Sequence, residues 1–218
     1  MLSEELYRKA MKTSPAQVGH FIEGGFMDPA IQAVDESFKV VGPAFTISLP
    51  TNDNAMLYYA MKQAPKGSVL VISRLGEDRF ACCGEIVVLS AKSLGMAGIV
   101  VDGPCTDVVR IKEIGLPVFS AGRSAVTNTI MAINGTYGDP VTCGGTVVCP
   151  GDIIFGDADG VIVAKPDGFE TLVDRAIADD EEEDDLRKVL VDGKSYGDMI
   201  RLDEAIHDDF LKQLKSRL

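Results

Sequence analysis

Residues 84–107, GEIVVLSAKSLGMAGIVVDGPCTD, decide the fold, because they read as a helix, a turn, a strand and a loop that ends on an acid. Apolar residues at helical spacing follow Glu85, and Gly95 stands where a helix commonly ends in a left-handed conformation. Residues 98–101 form a continuous apolar run, which is typical of a strand buried on both faces of a parallel sheet. The stretch therefore predicts a helix–strand unit of an α/β fold.

Functional residues are expected at the carboxyl edge of that sheet, where ligands of open α/β proteins collect. The strand ends in a loop that contains Thr106 and Asp107, and the helix that starts at Gly84 follows a neighbouring strand. Both segments should open on the same edge. We therefore expect the carboxylates of Glu85 and Asp107 and the free N–H groups of the helix start to surround one hollow.

The remaining chain divides into an α/β part and an antiparallel part. Residues 43–73 predict a strand, a helix and a strand, and residues 107–120 predict the next helix and strand. After residue 125, short apolar runs are separated by Gly, Asp and Pro turns, which favours an antiparallel meander. Residues 167–190 and 201–214 predict C-terminal helices, which we expect to pack on a neighbouring subunit. The expected fold is a parallel sheet with an antiparallel layer and C-terminal helices.

Composition indicates one soluble domain over residues 1–218, with its core at about 14–166. The chain has 46% hydrophobic residues, enough for a sizeable core, and no linker-like tract divides it. A net charge of −12 argues against binding to nucleic acids or anionic membranes. The sequence has no apolar run long enough to span a membrane and no signal-peptide core at its start. We therefore expect a cytoplasmic protein.

The five cysteines do not predict a disulfide framework or a thiolate zinc site, because their number is odd and no CxxC pair occurs. Cys82 and Cys83 directly precede a predicted helix start, a position that can lower the pKa of a thiol. Cysteine is also among the most frequently buried residue types. The favoured interpretation is that both are buried as small apolar residues.

The organising stretch resembles the RraA-like family, which includes ribonuclease E activity regulators, metal-dependent 4-hydroxy-4-methyl-2-oxoglutarate aldolases and oxaloacetate decarboxylases. In the family pattern, Gly-Asp or Gly-Glu is followed after twenty residues by Arg-Asp, and here Gly84-Glu85 is followed after twenty residues by Thr106-Asp107. Residues 149–166, CPGDIIFGDADGVIVAKP, are the most specific match. The resemblance implies a three-layer β/β/α domain that assembles as a homotrimer or a dimer of trimers.

The resemblance also implies roles for the residues of the hollow. Asp107 would hold Mg²⁺ or Mn²⁺, whereas spacing alone fits an N-cap of the following helix equally well. Glu85 would orient metal-bound water, and its alternative is a first-turn acid favoured by the helix dipole. The backbone amides of Ile86 and Val87, next to Gly84, would hold the carboxylate of a 2-oxoacid.

Thr106 departs from the family pattern. In the catalytic members the matching arginine binds the 2-oxoacid and steadies the enolate oxygen, a task that needs fixed positive donors. A threonine has only one neutral hydroxyl group, so another residue would have to supply the charge. The candidates are Arg74, Arg79, Arg110 and Arg123.

Seven consecutive acids, residues 179–185, lie in the predicted C-terminal helix. Such a run is usually a solvated helix face. The resemblance implies a second role, in which one glutamate reaches the site of a neighbouring subunit and carries a proton. Glu183 matches when the chain is counted back from Gly193, and Glu181 matches when it is counted forward.

The sequence therefore predicts a divalent-metal-dependent lyase that acts on a small 2-oxoacid, by retro-aldol cleavage or decarboxylation through a metal-stabilised enolate. One alternative is a non-catalytic regulator of the ribonuclease E type that contacts a basic partner. Another is an enzyme of the same fold with a different substrate. The missing arginine favours the first alternative, whereas the retained Glu85 and Asp107 oppose it.

Overall fold

A computed structural model describes residues 2–191, 193 and 195–199. The chain forms two compact units, residues 1–177 and 178–218. The single domain expected over residues 1–218 stays a prediction, and the helix expected at 201–214 lies outside the described residues. None of the helices in the described part of the chain combines the length and the apolar composition that crossing a membrane requires.

The described residues contain helices and strands in the mixed order of an α/β protein. The helices are α1 (Glu4–Ala10), α2 (Pro15–Gly19), α3 (Ala55–Met61), α4 (Glu85–Ser93), α5 (Val108–Ile114), α6 (Phe169–Val191) and α7 (Tyr196–Met199). The strands are β1 (Gln32–Ala33), β2 (Val40–Ser48), β3 (Val69–Ser73), β4 (Gly98–Cys105), β5 (Val118–Arg123), β6 (Thr136–Tyr137), β7 (Val141–Cys143), β8 (Thr146–Val148), β9 (Ile153–Asp157) and β10 (Gly160–Ala164).

A parallel sheet forms the centre of the fold. Strands β2, β3, β4 and β5 lie side by side in chain order and pair in parallel. Helices α3, α4 and α5 connect them, and because such crossovers are right-handed, three steps in one direction place all three helices on the same face. The predicted alternation of strands and helices up to β5 is confirmed.

Antiparallel strands extend this sheet at both edges. The first half of β2, Val40 to Pro43, pairs with β9, while its second half, Ala44 to Ser48, pairs with β3. β10 follows β9, and β1 pairs with β5 at the other edge. A separate hairpin of β7 and β8 packs on β3, with Cys143 Sγ 3.8 Å from the carbonyl oxygen of Ile72. The predicted α/β class with parallel and antiparallel strands and a C-terminal helix is confirmed.

Burial follows the predicted hydrophobic pattern. Every residue of β3 is inaccessible to solvent, as expected for a strand covered on both faces. One apolar cluster joins β3, β4 and β5 to helices α3 and α4, and a second packs α1 and α2 against β9, β10 and the start of α6. This packing holds the carboxyl ends of β3 and β4, and the loops that leave them, on a rigid base.

Candidate functional site

The start of α4 is capped by a carboxylate from another segment. Gly84 occupies the N-cap position in an extended conformation, with φ −148° and ψ −167°, and it has no side chain to satisfy the first amides. The amide of Glu85 donates to Oδ2 of Asp107 at 3.0 Å. Asp107, at the end of the loop after β4, therefore caps α4, the helix that follows β3. The two loops meet as the topology predicts.

Asp107 adopts a left-handed backbone conformation, with φ 55° and ψ 36°. This conformation costs a residue other than glycine on the order of 1–3 kcal/mol and is concentrated at functional sites. Asp107 occupies the N-cap position of α5, but its side chain makes no capping bond to that helix. Its backbone carbonyl instead accepts from Ile111 at 3.0 Å. The carboxylate is thus free of α5 and faces α4.

Space explains why glycine precedes Glu85. A Cβ atom added at Gly84 would lie 2.6 Å from Oδ2 of Asp107 and 2.7 Å from Cγ2 of Thr106. Both distances are shorter than van der Waals contact, so both side chains would have to shift. The extended φ of Gly84 suits any residue. The glycine is therefore required by the close approach of the two loops.

A cavity of about 210 Å³ opens where these loops meet. Its lining residues are Asn54, Tyr58, Ala81, Cys82, Gly84, Ile86, Val87, Thr106, Asp107, Thr127 and Asn128. Five predicted site residues thus share one cavity. The amides of Ile86 and Val87 belong to the first turn of α4, and the helix ladder begins with the bond from Val88 to the carbonyl of Gly84 at 3.0 Å. Within the described residues, these two amides have no acceptor, so they can receive an anion.

Glu85 lies beside this cavity, with a half-buried side chain. Its charge contributes to a raised pKa of the Arg110 guanidinium, whose larger causes are the hydrogen bond and the charge of Glu113. Arg110 Nη1 is 2.7 Å from Oε2 of Glu113. Arg110 is therefore paired away from the cavity, although it is close enough to Glu85 to be influenced by it.

The predicted cationic replacements for the missing arginine do not line the cavity. The Arg79 guanidinium lies over the ring of Phe80, 5.6 Å from its centroid. Arg123 is exposed at the end of β5. Arg74 is completely buried and donates to the carbonyl oxygens of Leu49 at 3.0 Å and Thr51 at 2.9 Å. The sequence offered these residues as candidate replacements, and none of their side chains is part of the cavity lining.

A polar wall that the sequence did not reveal faces the cavity. Asn54 donates through Nδ2 to the carbonyl oxygen of Cys82 at 2.9 Å, and Asn128 donates through Nδ2 to Oδ1 of Asn54 at 2.8 Å. Nη2 of Arg74 lies 3.5 Å from Oδ1 of Asn128, at the limit of a hydrogen bond. The only local signal was a pair of polar residues, Asp53-Asn54, before α3, which indicates a helix start and not a site.

Asp53 anchors the loop that carries this wall. Its buried carboxylate accepts from the amides of Met131 at 2.9 Å, Ile133 at 2.8 Å and Ala55 at 2.9 Å. These hydrogen bonds, with that of Met131 the largest cause, hold the pKa of Asp53 well below its usual range. The carboxylate thus ties the segment after β5 to the start of α3.

The two thiols before α4 are buried, as the favoured interpretation predicted. Cys82 and Cys83 have 1% and 0% exposure. Burial raises the pKa of Cys82 to about 11, and it raises that of Cys83 well above the usual value. A thiol activated by the helix start is therefore the wrong interpretation, because burial disfavours the thiolate of both residues.

Glu183 belongs to the unit of residues 178–218. Its Oε2 atom is 2.8 Å from Nη2 of Arg187, which also pairs with Asp180 at 2.6 Å and Asp184 at 2.9 Å. Arg187 thus compensates part of the acidic run. The role of Glu183 as a proton carrier in a neighbouring subunit stays a prediction.

The donor set around Asp107 fits a hard cation that keeps most of its water. In the described part of the chain, no three His, Cys, Asp or Glu side chains are grouped so that they could enclose a metal ion. Oδ2 of Asp107 is engaged by the Glu85 amide, while Oδ1 has only a 3.4 Å contact with the Thr106 hydroxyl. Mg²⁺ is often held by one or two carboxylates and several waters. Oδ1 is suited to that mode of binding.

Three comparisons relate the chain to known proteins. Residues 18–163 match the family model described as RraA-like: Aldolase/RraA. A Halalkalibacterium halodurans protein named "Putative 4-hydroxy-4-methyl-2-oxoglutarate aldolase" is 35% identical over 177 residues, covering 81% of this chain and 83% of that protein. An Arabidopsis thaliana protein named "Putative 4-hydroxy-4-methyl-2-oxoglutarate aldolase 2" is 32% identical over 142 residues, covering 64% of this chain and 82% of that protein.

A solved structure resembles the fold over most of its length. The crystal structure of Streptomyces coelicolor RraAS2, described as an unusual member of the RNase ES inhibitor RraA protein family, superposes with a TM-score of 0.75. Its sequence is 29% identical, and the match covers 86% of this chain and 99% of that chain. The similarity thus extends both to proteins named as aldolases and to a member of an inhibitor family.

Proposed function

The chain belongs to the RraA-like family of aldolases and RraA proteins, and on that basis we propose that it is a divalent-metal-dependent lyase. Its substrate would be a small 2-oxoacid, cleaved by retro-aldol reaction or decarboxylation. The observation that carries the proposal is the cavity in which Asp107, Thr106 and the first amides of α4 converge. Because the family contains both enzymes and regulators, membership alone does not determine the function, which has to be inferred from the residues of this site.

The start of α4 would bind the substrate carboxylate. The amides of Ile86 and Val87 have no acceptor in the described structure, and the helix dipole adds partial positive charge at the same point. Such a helix start binds an anion without a special side chain. The keto group of the substrate would then lie near Asp107, whose carboxylate borders the same helix start.

Asp107 would hold Mg²⁺ or Mn²⁺ through Oδ1, because Oδ2 already accepts from Glu85. When bound, the cation would polarise the keto oxygen and stabilise the negative charge that carbon–carbon cleavage leaves on the substrate. The hydrogen bond from Glu85 fixes the orientation of the carboxylate. A preset orientation lowers the cost of arranging ligands around the substrate.

Proton transfer would complete the reaction. In retro-aldol cleavage the substrate hydroxyl gives up its proton, the carbon–carbon bond breaks, and the released enolate takes up a proton at carbon. A water oriented by Glu85 could serve as the proton carrier, since the half-buried carboxylate lies beside the cavity. The second candidate is Glu183 from a neighbouring copy, in the trimer or dimer of trimers that the family resemblance implies.

One observation favours a different function. The cavity lining contains no lysine or arginine, although the resemblance expects an arginine at the position of Thr106. Losing one such donor typically lowers the rate by about 10²–10³-fold. A non-catalytic regulator that contacts a basic partner is therefore the second candidate. An enzyme of the same fold with a different substrate is the third.

Purified protein incubated with oxaloacetate or 4-hydroxy-4-methyl-2-oxoglutarate tests the proposal, with pyruvate release as the measurement. Each reaction is run with Mg²⁺, Mn²⁺ or chelator, and metal without protein corrects for uncatalysed decarboxylation. Metal-dependent release that is lost in Asp107→Ala supports the lyase. If the wild type is silent and Thr106→Arg gains activity, the cavity is a degenerate aldolase site. If both are silent, the regulator or a different substrate is favoured.

A further inference from the structure

The orientation of the Asn128 amide is determined by a buried arginine. The guanidinium of Arg74 is fully buried and carries only donors, so the atom of Asn128 that faces Nη2 at 3.5 Å must be oxygen. The position of Arg74 is itself fixed by the carbonyl oxygens of Leu49, Thr51 and Phe80, with the last at 3.2 Å. Asn128 therefore has its amide nitrogen turned away from Arg74.

The hydrogen bonds of Asn54 require the same direction of donation. The carbonyl oxygen of Cys82 can only accept, so the Asn54 atom that lies 2.9 Å from it must be nitrogen. Oδ1 of Asn54 then accepts from Nδ2 of Asn128 at 2.8 Å. Both ends thus require the same direction of donation, from Arg74 to Asn128, from Asn128 to Asn54 and from Asn54 to the carbonyl of Cys82. We call this series of hydrogen bonds the relay. Each amide nitrogen uses one of its hydrogens in the relay and keeps a second.

This relay brings positive polarisation to a cavity whose lining has no basic side chain. Asn54 and Asn128 line the cavity together with Asp107. A hydrogen bond from a cation polarises the acceptor amide, and such an effect is stronger in a protein interior than in water. The charge of Arg74 also reaches the wall directly, since it acts to lower the pKa of Cys82 against the larger effect of burial. The wall therefore has one unused amide hydrogen on each of Asn54 and Asn128, close to a buried charge.

We propose that Asn128, oriented and polarised by Arg74, contacts the substrate and donates a hydrogen bond to an oxygen at its reacting end. In this chain the wall would thereby supply donors that the family resemblance assigns to an arginine at the position of Thr106. Arg74 acts through Asn128 and is a positioning residue. This inference rests on the proposed function for the identity of the ligand, a 2-oxoacid.

Binding of pyruvate in the presence of Mg²⁺, measured by calorimetry, is the primary test, and KM with oxaloacetate is the second. We expect Asn128→Ala to weaken pyruvate binding about tenfold, the usual effect of losing one neutral hydrogen bond. Asn128→Asp keeps an acceptor for Arg74, but it loses the donor to Oδ1 of Asn54 and places an anion beside the ligand, so it should weaken binding further. Asn52→Ala and Asn52→Asp are matched controls, because the Asn52 carbonyl accepts from the amide of Thr129, the residue after Asn128, while Asn52 itself is not in the cavity lining.

The role of Arg74 is tested with Arg74→Lys alone and combined with Asn128→Ala. Lysine keeps the charge but not the fork of donors, so the single variant should raise the Kd for pyruvate. The double variant should bind no more weakly than Asn128→Ala, because the arginine acts through the amide. A merely structural role would give losses that add, together with a lower melting temperature, and additive losses would overturn the relay.

The outcomes separate this inference from the proposed function. If pyruvate binds both Asn128 variants as it binds the Asn52 controls, the contact is overturned even when the wild type is an active lyase. If the wild type binds pyruvate in an Asn128-dependent way but turns over neither 2-oxoacid, the contact stands and the lyase falls. If the wild type neither binds pyruvate nor turns over either substrate, both are overturned.

Discussion

Oδ2 of Asp107 lies 3.0 Å from the amide nitrogen of Glu85, so the proposed metal ligand also caps the helix that would bind the substrate carboxylate. One side chain thus links two loops that leave neighbouring strands, β3 and β4. The link sets the distance between the proposed metal position and the free amides of Ile86 and Val87. Changes that move this carboxylate should therefore affect catalysis more than folding.

Gly84→Ala should lower kcat/KM about 10–100-fold, because the added Cβ would lie 2.6 Å from Oδ2 of Asp107 and displace it. The extended backbone of Gly84 accepts alanine without strain, so we expect only a small fall in melting temperature. Gly24→Ala is the matched control, since a Cβ there meets no atom within 4 Å. Equal activity of the two variants would contradict the tight approach of the loops.

Asp107→Asn separates the cap from the proposed ligand. An asparagine oxygen can still accept from the amide of Glu85, so the melting temperature should change little, whereas metal-dependent activity should fall at least about 100-fold. Asp107→Ala removes both functions, and we expect it to cost a further 0.5–2 kcal/mol or so of stability, the typical value of a lost cap. Magnesium titrations of activity and thermal unfolding measure the two effects. An Asn variant that keeps full metal-dependent activity would remove Asp107 as a ligand.

The sequence predicted the parallel sheet because each of its elements is marked locally. The apolar runs of β3 and β4 and the helical spacing after Glu85 are patterns within a few residues. The meeting of Gly84 with Asp107 then follows from topology, since parallel strands end on one edge. Five residues of the cavity could be predicted in this way.

The polar wall could not be predicted, because no local pattern encodes it. Asn54 and Asn128 are hydrogen-bonded although they are 74 positions apart in the chain. The direction of the Asp107 carboxylate was also undetermined, since a residue before a helix is usually read as the cap of that helix. Its left-handed backbone turns the side chain to α4, and spacing does not reveal a dihedral angle.

Asp53→Asn should destabilise the protein at neutral pH. The pKa of Asp53 is lowered by hydrogen bonds from Met131, Ala55 and Ile133, so its ionised form stabilises the fold above the unfolded pKa of about 3.9. This contribution is lost as pH falls below that value. We expect the melting temperature of the variant to be several degrees lower at pH 7, and the difference to shrink below about pH 4. Asp139→Asn, at an exposed site, is the control. A difference that is independent of pH would contradict an ionised Asp53.

Thiol titration tests how firmly the cavity wall is closed. Cys82 has a pKa of about 11 because it is buried, and Cys83, Cys105 and Cys143 are buried as well, whereas Cys149 is partly accessible. At pH 8 only about 10⁻³ of Cys82 would be thiolate, the reactive form. We expect a disulfide reagent to modify one thiol per folded chain rapidly, none in Cys149→Ser, and all five of the wild type after denaturation. Rapid reaction of the Cys149→Ser protein at Cys82 would mean that the cavity lining around Cys82 opens in solution. The amide orientation on which the relay depends would then not be fixed.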